Sequence, residues 1–414
     1  MKNLAGLVLR TLTVFLVFVL GGVSQYRYQL VEKGLSLSKE DKKPSSPQVI
    51  DTKNIEMGHF WEAWSYLQSE YLKQDDIKTQ GMVDGAVKGM VASLGDPYTM
   101  YLSPEDNKRS GEDLAGAFYG VGIELGYKDG VLAVMAPLPG SPAEEAGIKA
   151  GDLILRVKDE TSGFDQETTN WSLQEAVGHI RGPKDSVVTL TLYRDSNGQK
   201  PFETSVKRGE ILVNSVELKI LESQDGKFAH LKLIRFGERT MEEWNTAVEQ
   251  ILSQKESLDG VLLDMRNDPG GFFDVAIDVA SDFIEKGVVV TQKGKFTSKE
   301  YQARGKARLA GVKTVVLVNQ GSASAAEIVA GALRDQLGFK LVGEKTFGKG
   351  TVQDRKELTN GGGLHITIAR WLLPGGDWIN EEGLTVDFEI KDNEQTETDE
   401  ILDKGKEVLR SINF

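Results

Sequence analysis

The residues best suited to chemistry lie in the second half of the chain. Val316 to Glu327 reads VLVNQGSASAAE, an apolar run that ends in a tight turn of small residues, and a helix-like run follows from Ser324. A hydroxyl at such a junction stands at a strand end, and a helix N-terminus favours negative charge developing beside it. The same four residues, Ser324-Ala-Ala-Glu327, also form the S-x-x-E capping box, in which the serine only caps the helix. A serine nucleophile needs a base. His59, His179, His230 and His365 are scattered, show no metal-ligand spacing, and read as surface or packing residues. Lys349, in Gly343-Glu-Lys-Thr-Phe-Gly-Lys349-Gly350, is the alternative base. At its ordinary pKa about one lysine in 2,500 is neutral at pH 7, so burial must favour the free amine. Phe347 and the flanking glycines are expected to supply an apolar niche, and Gln353 to orient the amine by hydrogen bonding. A solvated loop lysine is the competing reading. Asp264-Met-Arg-Asn-Asp-Pro-Gly-Gly271 closes a third apolar run. Its Pro269-Gly270 pair suits a type II turn, which can present a backbone N–H to an oxyanion, with a second N–H from the residue after the serine. An ordinary strand-to-helix turn would look the same.

Gly343 to Gly350 also comes close to a phosphate-binding loop, with Val261 to Asp264 as a companion strand. Gly350 stands where that loop needs Ser or Thr for magnesium, and the residues after it look strand-like rather than helical. The chain has 414 residues and a net charge of −13, with no cluster of Lys and Arg. Nucleic acid is therefore a poor partner. Cysteine is absent, which removes disulfides, thiolate metal sites and cysteine nucleophiles. No cofactor is called for.

The elements that must position these residues follow from periodicity. Lys2 and Arg10 precede the apolar run Leu12 to Leu20, which reads as a signal peptide or membrane anchor over residues 1–30 and places the body outside the cytoplasm. Residues 31–55 read as a disordered polar linker, and 56–112 as a helical segment with one apolar-periodic stretch from Met57 to Leu94. Residues 113–209 are β-rich, with one helix over Trp171 to Arg181 whose Leu173, Val177 and Ile180 either line a pocket or face the core. From 210 to 414 strand-like and helix-like runs alternate, the pattern of an α/β sheet, and Thr398 to Ile412 forms a final amphipathic helix.

Together these segments resemble the carboxyl-terminal processing peptidases, the S41 serine peptidases with an embedded PDZ domain. The resemblance rests on Phe60 to Trp64, Gly89 to Tyr98, Asn319 to Asp335, Gly348 to Gln353, His365 to Trp371 and Gly383 to Asp387. It implies an α/β fold: a crotonase-like ββα spiral core, a helical N-terminal segment and an inserted β-rich PDZ domain. It implies Ser324 as nucleophile, Lys349 as base 25 residues later (349 − 324) and Gln353 as the third member. Ser322 is a fallback nucleophile, and Asp335 matches an acidic position of some members. Oxyanion donors would be the N–H groups of Ala325 and Gly270, with Gly271 as the close alternative. Tyr119-Gly120-Val121-Gly122-Ile123 resembles the PDZ carboxylate-binding loop, and Arg181 stands where members switch the protease. The implied activity is extracytoplasmic endoproteolysis near protein C-termini. Implied partners are substrates with free C-termini, a membrane at the N-terminus, and room for an activator protein or a second copy.

Overall fold

The structure, a computed structural model, describes residues 55–194, 200–223, 226–392 and 398–412. The apolar N-terminal run and all but the last residue of the polar linker lie outside the described residues. Contacts divide the chain into two units, Met1–Ile77 and Lys78–Phe414. In the first, α1 (Gly58–Glu70) buries no residue, and Phe60, Trp61 and Trp64 cluster with ring centroids 4.9 to 6.1 Å apart. The helical stretch read from Met57 to Leu94 is not continuous. The polar run Lys73 to Asp76 breaks its apolar period, and a short 3₁₀ turn at Gln74–Asp76 follows α1.

The second unit opens with α2 (Thr79–Ala92), β1 (Met100–Leu102) and α3 (Pro104–Ala115). Ser103 caps α3 by accepting the Asp106 N–H at 3.2 Å, and Gly116 ends it at φ 67°. The β-rich segment holds β2 (Ala117–Gly120), β3 (Ile123–Lys128), β4 (Val131–Pro137), α4 (Pro142–Glu145), β5 (Leu153–Asp159), β6 (Phe164–Glu167), α5 (Leu173–Ile180), β7 (Val187–Tyr193), β8 (Phe202–Lys207) and β9 (Gly209–Leu212). Its sheet runs β3-β4-β5-β7-β8 and leaves β3 on an edge. Alternate residues Val188, Leu190 and Leu192 of β7 are fully buried, the period of a half-covered strand. Four strands of this part, β2, β6, β8 and β9, are ones that sequence periodicity did not mark.

The remainder carries β10 (Val216–Ser223), β11 (Gly226–Leu233), α6 (Thr240–Ser253), β12 (Gly260–Asp264), α7 (Phe273–Ala280), β13 (Val288–Gly294), β14 (Ser298–Gln302), β15 (Thr314–Val318), α8 (Ala325–Leu337), β16 (Lys340–Gly343), β17 (Thr351–Glu357), β18 (Gly363–Leu372), β19 (Phe388–Glu389) and α9 (Glu400–Ser411). One sheet runs β10-β11-β12-β15-β16-β19 and is parallel from β11 onward. Every residue of β12 and β15 is buried, because helices cover both faces. Leu263 and Val316 face the core shared with α6, α7 and α8, while Leu262, Val315 and Leu317 face Ile401, Val408 and Leu409 of α9. A second sheet runs β1-β18-β13-β14, with β17 paired to β18. The architecture is mixed α/β.

This topology positions the site. β12, β15 and β16 are adjacent and parallel, so the turns after their carboxyl ends lie side by side. Those turns are the three segments whose residue types suggested chemistry. A crevice at the carboxyl ends of parallel strands is where open α/β sheets bind ligands.

Candidate active site

The turns are laced together before any chemistry is considered. The Ala323 N–H donates to Asp268 O at 2.9 Å, and the Phe347 N–H to Ser322 O at 3.0 Å. Ser322 is fully buried; its hydroxyl donates to Met265 O at 2.8 Å and accepts the Asn319 N–H at 2.9 Å. Both roles of that oxygen are committed, so Ser322 is a brace and not a nucleophile.

Ser324 sits at the N-terminus of α8 with φ 55° and ψ −111°, a conformation that a residue with a side chain adopts only when its surroundings enforce it. Its N–H donates to Glu327 Oε2 at 2.8 Å. Gly270 packs against this turn at φ 93°; a Cβ there would lie 2.9 Å from Ser324 Cβ and 2.7 Å from Ala323 O. Only glycine permits both the conformation and the approach. Ser324, Ala325, Gly270, Gly271, Lys349 and Gln353 all line one cavity of about 980 Å³. The Gly270 N–H, a predicted oxyanion donor, is held at 2.8 Å by Asp268 Oδ1. Asp268 is fully buried, and burial raises its carboxyl well above the usual range against the Gly270 hydrogen bond and the charge of Arg235.

Lys349 is half-buried, and burial pushes its ammonium toward the neutral amine, while the charges of Asp96 and Glu327 pull the other way. The niche differs from the expected one. Phe347 is 55% exposed and turns out to solvent. Lys349 Nζ instead lies 5.2 Å from the centroid of the Tyr98 ring, and Trp371 Nε1 donates to Lys349 O at 3.1 Å. Gln353 does not bond Lys349. Its Nε2 donates to Thr351 Oγ1 at 2.9 Å and Thr367 Oγ1 at 3.2 Å, so its carbonyl oxygen is the end it can offer an amine.

Other predicted positions fall elsewhere. Asp335 accepts from Arg334 Nε at 3.0 Å and from the Gly375 N–H at 3.2 Å, a helix-end ion pair that does not line the cavity. The phosphate-loop alternative fails: Glu327, not an open nest, takes the Gly348 and Lys349 N–H groups, and β17 follows where a helix would be needed. Tyr119 and Gly120 end β2, and Val121, Gly122 and Ile123 lead into edge strand β3. Ile180 of α5 is in the core, Leu173 is exposed, and Val177 is half-buried. Arg181 lies 3.8 Å over the Phe118 ring and 3.5 Å from Asp113 Oδ1 on α3. Asp106, Arg109 and Asp113 of α3 also line the cavity, so one helix touches both Arg181 and the cleft.

The sequence reading gave Tyr98 and Asp268 no role at the site, read Glu327 as the partner in a helix cap, and read His365 as a surface or packing residue. His365 lines the cavity with a buried Nε2 that has no partner; burial and the charges of Arg355 and Lys349 push the ring toward its neutral form. No local pattern marks Tyr98 or His365 for the site, because each reaches it from an element distant in sequence from Ser324 and Lys349. Among the described residues no His, Asp and Glu cluster is arranged for a metal, and no helix is long and apolar enough to cross a membrane.

Comparison with known proteins agrees with this architecture. The description "Peptidase family S41" matches residues 227–390, "PDZ domain" residues 134–194, and "Activating protease CtpB N-terminal domain" residues 18–106. The chain is 39% identical over 325 residues to the carboxy-terminal processing protease CtpA of Bacillus subtilis (strain 168), covering 78% of this chain. It spans 66% of that relative's length, just under two thirds. It is 30% identical to a solved photosystem II D1 C-terminal processing protease, with 84% of this chain and 91% of that one aligned and a TM-score of 0.49. A solved S41 protease of Bacteroides fragilis shares the fold at a TM-score of 0.53 and 16% identity, over 84% of this chain and 97% of that one. The chain belongs to the S41 peptidase family, in the branch that carries a PDZ domain.

Proposed function

We propose that this protein is a serine endopeptidase that captures free protein C-termini in its PDZ domain and cuts near them, outside the cytoplasm. The observation that carries the reading is the meeting of Ser324 and Lys349 in one cavity at the head of a parallel sheet, with burial driving the Lys349 amine toward its neutral form. The neutral amine takes the Ser324 hydroxyl proton as Oγ bonds to the peptide carbonyl carbon. The Ala325 N–H and a Gly270 N–H freed from Asp268 hold the resulting oxyanion. The lysine ammonium then protonates the leaving amine as the C–N bond breaks. Water, deprotonated by the same amine, hydrolyses the acyl-enzyme to a carboxylate and free Ser324. Gln353 offers the amine its carbonyl oxygen once the two approach.

Edge strand β3 can take an added peptide strand beside α5, with the Tyr119 to Ile123 turn around the terminal carboxylate. Arg181, through Asp113 and α3, is the contact by which PDZ occupancy would bear on the cleft, directly or with an activator protein. The location outside the cytoplasm, with an N-terminal anchor, rests on the residue 1–30 pattern alone; in expressing cells the body should be cleaved by protease added to spheroplasts and spared in intact cells.

The deciding experiment compares the full chain with Lys349→Ala on an unfolded protein offered with a free or an amidated C-terminus. Cleavage that needs Lys349 and falls on amidation upholds both parts. Equal cleavage by both proteins refutes the dyad. Binding of the free C-terminus without cleavage by either points to a silent scaffold or to an enzyme that waits for an activator.

A further inference from the structure

Glu327 is fully buried, yet no part of the reaction above uses it. Its carboxyl group accepts four hydrogen bonds. Oε1 takes the Thr346 hydroxyl at 2.6 Å and the Gly348 N–H at 2.7 Å; Oε2 takes the Lys349 N–H at 2.9 Å and the Ser324 N–H at 2.8 Å. Four donors on two oxygens leave no lone pair for a proton, so the group is a carboxylate. A helix cap would need only the Ser324 contact. The other three bonds reach across to the turn after β16.

The geometry points to Glu327 as a positioning residue: its carboxylate clamps the Ser324 turn to the Lys349 turn and sets the two side chains at working separation. This rests on the Ser–Lys reading. Two observations beyond the bond count support it. Ser324 keeps a left-handed backbone that few residues adopt, and the Glu327 bond to its own N–H helps hold it there. Thr346, the far anchor, is itself fixed, because its Oγ1 accepts the Leu384 N–H at 2.7 Å. The carboxylate also sits close enough to Lys349 for its charge to favour the ammonium. The other groups facing the amine are Asp96, which acts in the same sense, the Tyr98 ring, and His365, whose own pKa is lowered by burial and by the charges of Arg355 and Lys349.

Clamp and charge predict different things, and both can be read. Glu327→Gln removes the charge and presents an NH₂ to at least one N–H donor. It should lower kcat at least a hundredfold with KM within about threefold, because substrate contacts are untouched. The acid limb of its pH–rate profile should move to lower pH, since Lys349 loses an anion that stabilised its protonated form. Glu327→Asp keeps the charge and shortens the reach, so kcat should fall while the limb stays in place. Affinity for a C-terminal peptide, read with far-UV circular dichroism, checks that each variant is folded. If Glu327→Gln does not fold, Thr346→Val decides instead: it deletes one clamp bond and should cost about tenfold in kcat. Wild-type kcat in Glu327→Gln or Thr346→Val, or an unmoved limb in Glu327→Gln, overturns the proposal. Lys349→Ala run alongside separates the failures. An active Lys349→Ala sinks the dyad itself, whereas an inactive one beside a wild-type-like Glu327→Gln sinks only the clamp.

Discussion

Lys349 and Asp268 each carry a cost in the folded state, and pH exposes it. Burial lowers the Lys349 pKa in the folded state below that of a solvated lysine. The unfolded chain therefore holds its proton more tightly, and the penalty is present at neutral pH and fades as pH rises toward the ordinary lysine value. Lys349→Met should raise the unfolding midpoint by about 1–3 °C at pH 7, a gain that scanning calorimetry should find shrinking as pH rises toward the ordinary lysine value. Asp268 has the opposite sign. Its folded pKa is raised, so the unfolded chain loses the proton first and stability falls as pH climbs past the ordinary carboxylate value. Asp268→Asn keeps an oxygen for the Gly270 N–H and removes the buried acid. Its stability advantage over wild type should be near zero below pH 4 and grow toward pH 7. A constant difference across that range would contradict a raised Asp268.

At the level of elements, α5 depends on one residue outside it. Arg208 is fully buried; it donates to Ile180 O at 2.8 Å and His179 O at 3.1 Å, two carbonyls left open at the helix end. It also reaches Asp159 Oδ2 and Ser186 Oγ, at 2.9 and 2.8 Å. Arg208→Met would strand a buried carboxylate and both carbonyls, a loss of about 3–5 kcal/mol. Peptide affinity should fall and the β-rich part should melt earlier, while the α/β core keeps its own transition. A single unchanged transition would show that Arg208 is not what holds α5.

The whole molecule relies on its last helix. α9 covers the face of the parallel sheet that carries Leu262, Val315, Leu317 and Val342. Burying Ile401, Val408 and Leu409 stabilises the fold by about 1.5–3 kcal/mol each, a sum comparable with the net stability of a domain. Arg266, next to the Asn267 to Gly271 turn, fastens the helix start through Asp399 at 2.7 and 2.8 Å and reaches Asp264 at 2.7 Å. Partial burial raises the Asp399 carboxyl, but the Arg266 bonds outweigh it and hold it below the usual range. The clasp therefore stabilises above that range and is lost only as pH falls below it. Removing residues 398–414 should give insoluble protein, or soluble protein that binds a hydrophobic dye; soluble, dye-silent and active protein would contradict the role given to α9.

Periodicity alone marked β12, β15, β16 and α9, because each carries its signal in adjacent residues: an apolar run between turns, or an amphipathic stripe. The same locality exposed the Ser324, Lys349 and Gly270 turns, whose small residues and glycines answer to backbone demands within a few positions. It could not give strand order, and order is what sets those turns side by side. It also placed Phe347 around the lysine, where tertiary packing put Tyr98 from the far end of the chain. Glu327 shows the division most clearly. Ser324-Ala-Ala-Glu327 spells a capping box, and Glu327 does take the Ser324 N–H, but three of the four bonds on that carboxylate come from residues at least 19 positions away. A short-range pattern encodes contacts along one helix, whereas a buried carboxylate is satisfied by whatever donors the fold gathers round it, and only the packed sheet brings those donors within reach.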